Sequence, residues 1–303
     1  MKTLYVSDLD GTLLGSDQKT SDFTNQTINR LVEEGMLFSY ATARSYVTAS
    51  RVTAGLEAKI PLIVYNGAMV VDNSDGSILM QHFFDGDSQE LLEDLLAHGI
   101  YPIVYAFVQG KEKMSFLPTK ATVGMREFLD SRRGDVRLRP VDCVEQLCEG
   151  ETFYITCIDE AVKLAPLYEK YRGCYQCVYQ TDIYTKSQWL EIMPRDATKA
   201  HAIRQLKAHF GCDRLVVFGD GKNDMNMFEL ADEAYAVSNA VPELKKIATG
   251  IIGGNDEDGV ARWLAAYGHT CCTSGLAVEG GGGLQGHLEE GVGVVVGEEH
   301  LHI

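Results

Sequence analysis

Residues 6–14 read VSDLDGTLL. An apolar run of strand character ends there in two aspartates one residue apart, with Gly11-Thr12 directly behind them. A strand carried through Asp10 puts Asp8 and Asp10 on one side of the backbone, because side chains alternate. Two carboxylates held that close repel, so the arrangement is costly unless a cation or a reaction uses it. Outward from this point, residues 1 to about 80 alternate strand and helix. TLYVSDL, MLFSYAT and PLIVYNGA read as strands, and SDFTNQTINRLVEEG and SYVTASRVTAGL as helices with Ser starts. Nearly continuous apolar strands separated by helices predict a parallel sheet covered on both faces.

The middle third has a different texture. YPIVYAFV, KMSFL, ETFYITCI and CYQCVYQ are half-polar strands, with helical stretches at about 88–98, 121–132 and 160–171. This is α+β patterning and predicts a separate module inserted into the first. After WLEIMP the βα alternation resumes with TKAHAIRQLKAHFG, RLVVFGD, DMNMFELAD, AYAVS and VPELKKIA. The expected division is a core of residues 1–83 and 188–267, an inserted domain of 84–187, and a tail of 268–303. The tail holds ten Gly and no Lys or Arg, which predicts disorder, with His300 and His302 as ordinary tail residues.

Composition narrows the partners. The 303 residues are 45% apolar and 23% charged, and 43 acidic against 27 basic residues leave a formal charge of −16. A field of that sign repels nucleic acid and anionic membrane surfaces. No apolar run reaches the length of a membrane span, and no signal-peptide pattern precedes the first strand, so the expected compartment is the cytoplasm. The eight cysteines are irregularly spaced. Cys174 and Cys177 form a CxxC followed by a strand rather than a helix, so they read as free thiols and not as a redox pair. Oligomeric state is not legible.

Four stretches fall at strand ends or helix starts: Asp8 to Thr12, Thr42 in ATAR, Lys199 in TKAHAI, and GDGKND with Asp220 and Asp224. In an open parallel sheet the carboxyl ends of the strands face one crevice, so these residues should meet. The chemistry they suit is phosphoryl transfer. Asp8, Asp10, Asp220 and Asp224 are candidate ligands of a hard cation, for which Mg²⁺ is the natural occupant. Asp8 is the candidate nucleophile, by way of an aspartyl-phosphate, and Asp10 the general acid and base. Thr42 and Lys199 would hold the remaining phosphoryl oxygens. Lys186 is the rival to Lys199, which is favoured by its place at a helix start. Arg44 and Asn66 follow strands at the crevice and either bind substrate or, for Arg44, pair with a carboxylate. Asn223 would orient the phosphate or Lys199, while Lys222, His201 and His209 read as solvated or packing residues.

This ordered set resembles the haloacid dehalogenase superfamily, with DLDGT, the strand-ending Thr of ATAR, the Lys of TKAHAI and GDGKND standing for its four motifs. The size and place of the insertion, and YNGA, SNA and DEDGVARWL, are similar to its Cof-type Mg²⁺-dependent phosphatases. The resemblance covers about residues 1–266; Ala43 and Ala200 stand where that subgroup commonly has Gly. It implies a Rossmann-like parallel-sheet core with an inserted α+β cap that selects substrate. It also implies hydrolysis of a small phosphorylated metabolite, a sugar phosphate or cofactor phosphate. The rivals are a phosphotransferase of the phosphomannomutase type and a ligand-sensing protein that keeps the site.

Overall fold

All five residues of β1 (Thr3–Ser7) are buried, because it is an interior strand of a sheet with helices on both faces. The computed structural model describes residues 1–57, 59, 61–181 and 187–268. The tail expected to be disordered lies outside them, apart from Gly268, and so does Lys186. After β1 come α1 (Asp22–Glu33), β2 (Leu37–Tyr40), α2 (Tyr46–Val52), β3 (Leu62–Val64), β4 (Met69–Val71) and β5 (Ile78–Gln81). Ser21 and Ser45 cap α1 and α2, each accepting the N–H three residues on.

The middle of the chain forms α3 (Ser88–Ala97), β6 (Ile103–Val108), β7 (Lys111–Phe116), α4 (Val123–Ser131), β8 (Leu138–Pro140) and α5 (Val144–Leu147). It continues with β9 (Glu151–Asp159), α6 (Ala161–Tyr171), β10 (Gln176–Thr181) and β11 (Gln188–Met193). The last stretch is α7 (Lys199–His209), β12 (Arg214–Gly219), α8 (Met225–Leu230), β13 (Glu233–Val237), α9 (Pro242–Ile247), β14 (Gly250–Ile252) and α10 (Gly259–Tyr267).

The first and last stretches share one parallel sheet in the order β14-β13-β12-β1-β2. The chain leaves β1 toward β2 on one side and returns as β12 on the other, so the strand order reverses beside β1. That reversal is where an open α/β sheet opens its crevice. Ser7 lies level with Tyr40 on β2 and Phe218 on β12, which brings the three carboxyl ends into line. The expected third parallel strand differs. β3 meets the sheet through one parallel bridge, Ala41 to Ile63, and then pairs antiparallel with β4 in a separate three-stranded sheet.

The inserted α+β domain has a six-stranded sheet, β10-β11-β9-β6-β7-β8, antiparallel except where β8 joins β7. Leu91 and Leu95 of α3 and Leu164 and Leu167 of α6 cover its outer face with Val104, Ile155, Leu190 and Ile192. The inner face, with Ile103, Tyr105, Tyr154 and Met193, packs into the same apolar cluster as the core. The expected boundary at residue 188 is corrected by this pairing: Gln188–Met193 lies between β9 and β10, in the second sheet. It reads like a core strand because both its faces are covered, one by α6 and one by the core. Cys174 and Cys177 are free thiols, Cys177 within β10. Among the described residues no helix is long and apolar enough to cross a membrane.

Candidate active site

Asp8 is the first residue beyond β1, its N–H still in the ladder with the Phe218 carbonyl at 2.9 Å. There the strand ends. Asp10 and Gly11 turn the chain, and Gly11 has φ +74°. A Cβ on Gly11 would stand 2.4 Å from Asp220 Oδ2, so a side chain is excluded both by the backbone and by its neighbour. Thr12 then donates to Asp220 Oδ1 at 2.9 Å, tying the two strand ends together. Lys199 opens α7, which Thr198 caps, and its Nζ reaches back into the crevice. It donates to Asp8 Oδ1 at 2.7 Å and to Asp224 Oδ1 at 2.8 Å. Asp224 Oδ2 accepts the N–H groups of Asp220 and Gly221, both at 3.0 Å. Asp8, Asp220 and Asp224 each offer an oxygen within 4.8 Å of the others.

Three carboxylates share one ammonium here, and the titration of Asp8 and Asp220 reflects the shortage of positive charge. Burial pushes the Asp8 carboxyl well above its ordinary range, with Asp224 and Asp220 adding to the push and Lys199 opposing it. Burial and Asp224 likewise hold Asp220 up at about 6. Burial pulls Lys199 down, yet Asp224 and Asp8 outweigh it and hold the ammonium above its usual range. A hard divalent cation suits this site: all donors are carboxylate oxygens, and the charge it would bring is the charge the site lacks.

Asp10 is not in that group. The alternation that would set it beside Asp8 ends with β1 at Ser7, three residues short of Asp10. The turn instead carries its carboxylate, half exposed, to Arg44, which grips it from Nε at 2.8 Å and Nη2 at 2.6 Å. Of the two readings of Arg44, carboxylate pairing is the one seen, and the carboxylate is the candidate acid–base itself. Thr42 is fully buried, and its Oγ1 accepts the Arg44 N–H at 3.1 Å. Asn223 stands exposed in the turn before α8.

Asn66 lies in a loop where Tyr65, Asn66 and Gly67 all have positive φ, of 51°, 55° and 101°. For the first two this is a strained conformation, and it is held from outside. Tyr65 and Asn66 donate their N–H groups to the Arg44 and Thr42 carbonyls at 2.9 and 2.8 Å. On the other side a Cβ on Gly67 would come within 2.2 Å of the Thr198 carbonyl oxygen, so the loop touches both Thr42 and the start of α7.

The sequence reading omits a residue on the inserted domain. Glu191, in β11, is buried, and its Oε1 accepts from the Tyr154 hydroxyl at 2.8 Å. A lone carboxylate inside the apolar strand WLEIM was the available signal. Burial raises Glu191 from 4.5 to about 7. The unfolded chain therefore releases this proton near 4.5, and the folded chain keeps it until about 7. Stability should fall as pH rises through that interval, by about 3 kcal/mol in total. Denaturant titrations of Glu191→Gln across pH 4.5 to 7 should lack that part of the slope. An unchanged slope would remove the assignment.

The comparisons with known proteins agree with this geometry. Residues 5–264 match the family model described as haloacid dehalogenase-like hydrolase. The 5-amino-6-(5-phospho-D-ribitylamino)uracil phosphatase YitU of Bacillus subtilis (strain 168) is 26% identical over 281 residues, covering 87% of this chain and 97% of the relative. A second protein of that organism with the same activity in its name, YwtE, is 27% identical over 284 residues, covering 87% and 97%. In fold, the crystal structure of TM0651 from Thermotoga maritima superposes with a TM-score of 0.71 at 23% identity, covering 88% of this chain and 97% of that one. With Lys199 set between Asp8 and Asp224 at the carboxyl edge of such a sheet, the chain belongs to the haloacid dehalogenase-like hydrolases.

Proposed function

We propose that this protein is a Mg²⁺-dependent phosphatase of the cytoplasm, acting on a small phosphorylated metabolite through an aspartyl-phosphate on Asp8. One observation carries the reading: Lys199 bridges Asp8 and Asp224 while Asp220 completes a group of three carboxylates within 4.8 Å. Asp8, Asp220 and Asp224 would hold the cation, which when bound offsets the carboxylates and the charge of the phosphate. The names of the curated relatives support a small phosphorylated substrate.

In the first step an Asp8 oxygen attacks phosphorus; the bond to Asp8 forms as the bond to the leaving oxygen breaks. Asp10 gives that oxygen its proton, then takes one from the water that attacks the aspartyl-phosphate and frees inorganic phosphate. Arg44 fixes the direction of the Asp10 carboxyl through its two-point grip. Thr42 and Lys199 hold phosphoryl oxygens, and the strained loop at Asn66 sets the wall beside them. The inserted domain acts as the cap that covers the crevice and chooses the substrate.

Phosphate release from a panel of phosphorylated sugars, polyols, nucleotides and vitamin cofactors, with Mg²⁺ and with EDTA, tests this. Release that requires Mg²⁺ is the expected result. Equal release in EDTA would overturn the metal, and no release from folded protein would overturn the activity. An isomeric sugar phosphate in place of free phosphate would make the protein a mutase.

A further inference from the structure

The face that the inserted sheet turns toward the core is polar at a point where cores are usually apolar. On β11 the outward-facing Leu190 and Ile192 join the apolar layer under α3 and α6. Glu191, between them, faces inward. Its Oε1 accepts from the Tyr154 hydroxyl at 2.8 Å, and that hydroxyl accepts from Asn66 Nδ2 at 3.2 Å. The Asn66 N–H in turn donates to the Thr42 carbonyl at 2.8 Å. Three buried side chains thus link the cap to the strand end that carries Thr42.

The chain of hydrogen bonds is unfinished at both ends. Glu191 Oε2 and Asn66 Oδ1 are buried, and neither has a partner among the described residues. On the same two strands of the cap, Thr156 Oγ1 and Trp189 Nε1 are also buried without one. Native interiors pair nearly all such atoms, so several on one face need a reason. A structural network would close on itself. This one leaves an amide oxygen that can only accept, a carboxyl oxygen that accepts once Glu191 is ionised, a hydroxyl that can do either, and an indole N–H that can only donate. A leaving group bearing several hydroxyls complements that set; an apolar or bare aromatic one does not. Arg132, over the Phe128 ring that stacks edge-on to Trp189, flanks the same face with a cation.

Resting on the phosphatase reading, we propose that Glu191, Tyr154 and Asn66 form the subsite that selects substrates whose leaving group presents hydroxyl donors to the cap. Glu191 and Asn66 accept from substrate hydroxyls, and Tyr154 is the positioning residue that holds the two in register. A buried acceptor built for a hydroxyl rejects analogues that lack it, because it is then left unpaired.

The test compares a panel of pentitol and hexose phosphates with p-nitrophenyl phosphate, whose leaving group carries no hydroxyl donor once attached. The readout is the ratio of kcat/KM for the best polyol or sugar phosphate to that for p-nitrophenyl phosphate. In Glu191→Gln this ratio should fall about 30-fold, and in Tyr154→Phe about tenfold, mostly through KM. A ratio that holds in both variants overturns the inference, whether activity toward both substrates is kept or falls together with the melting temperature, as a purely structural network would give. Wild-type protein that releases phosphate from neither class would remove the phosphatase reading and this inference with it. Wild-type release with unaltered variant ratios removes the inference alone.

Discussion

Asp8→Asn should release phosphate at least about 10³-fold more slowly than the native protein while melting no lower. The kinetic half follows from chemistry: an amide has no anionic oxygen with which to attack phosphorus. The stability half follows from the site. Burial, Asp224 and Asp220 together hold the Asp8 carboxyl well above its ordinary range, so the folded protein bears a cost for keeping it ionised near neutrality. Asparagine keeps the shape and leaves Oδ1 in place to accept from Lys199, and it carries no charge to desolvate. Phosphate assays and metal-free thermal melts on one preparation decide it. Turnover within a few-fold of native would remove Asp8 as nucleophile.

Lys199→Met should do the reverse to stability. Its ammonium supplies hydrogen bonds to Asp8 and Asp224, both buried, and methionine would leave those carboxylates facing each other without a cation. Removing one partner of a buried ion pair costs about 3–5 kcal/mol, because the remaining charge is stranded. The variant should also lose turnover. Added Mg²⁺ should restore part of the melting temperature, since a ligand that binds only the folded state stabilises it. Arginine should not substitute well, because its planar fork is a different shape from the compact ammonium that fits between these two oxygens. A metal-free melting temperature equal to native would overturn the role of Lys199 as the cation that stabilises Asp8 and Asp224.

Much of the site was legible because parallel sheets obey a simple rule: strand ends converge. Asp8, Thr42 and Asp220 each follow an apolar run, so their meeting could be argued across more than 200 residues of sequence. Asp10 was misplaced for a local reason. Alternation holds only while the strand lasts, and the chain turns at Asp10 and Gly11, handing the carboxylate to Arg44. The Arg44 pairing itself joins residues 34 apart through a turn and a strand end, and no period in the sequence encodes that. The end of the insertion was placed six residues early because β11, covered on both faces, has the composition of a core strand. Glu191 was visible as a charge in an apolar strand, but its meaning came only with Tyr154 and Asn66, brought to it by pairing and domain packing.

The strand order also sets a timetable. β1 is an interior strand of its sheet, yet its neighbour β12 begins at Arg214. A ribosome adding roughly 5–20 residues per second needs roughly 10–40 seconds to travel between them. Through that interval Leu4, Tyr5 and Val6 can pair with β2 on one edge, while the other edge has no native partner. An unpaired apolar edge recruits whatever strand comes near. The newborn chain therefore faces its greatest hazard of mispairing before the residues of its own last third have been made, and the same late closure keeps the acidic crevice from assembling until they arrive.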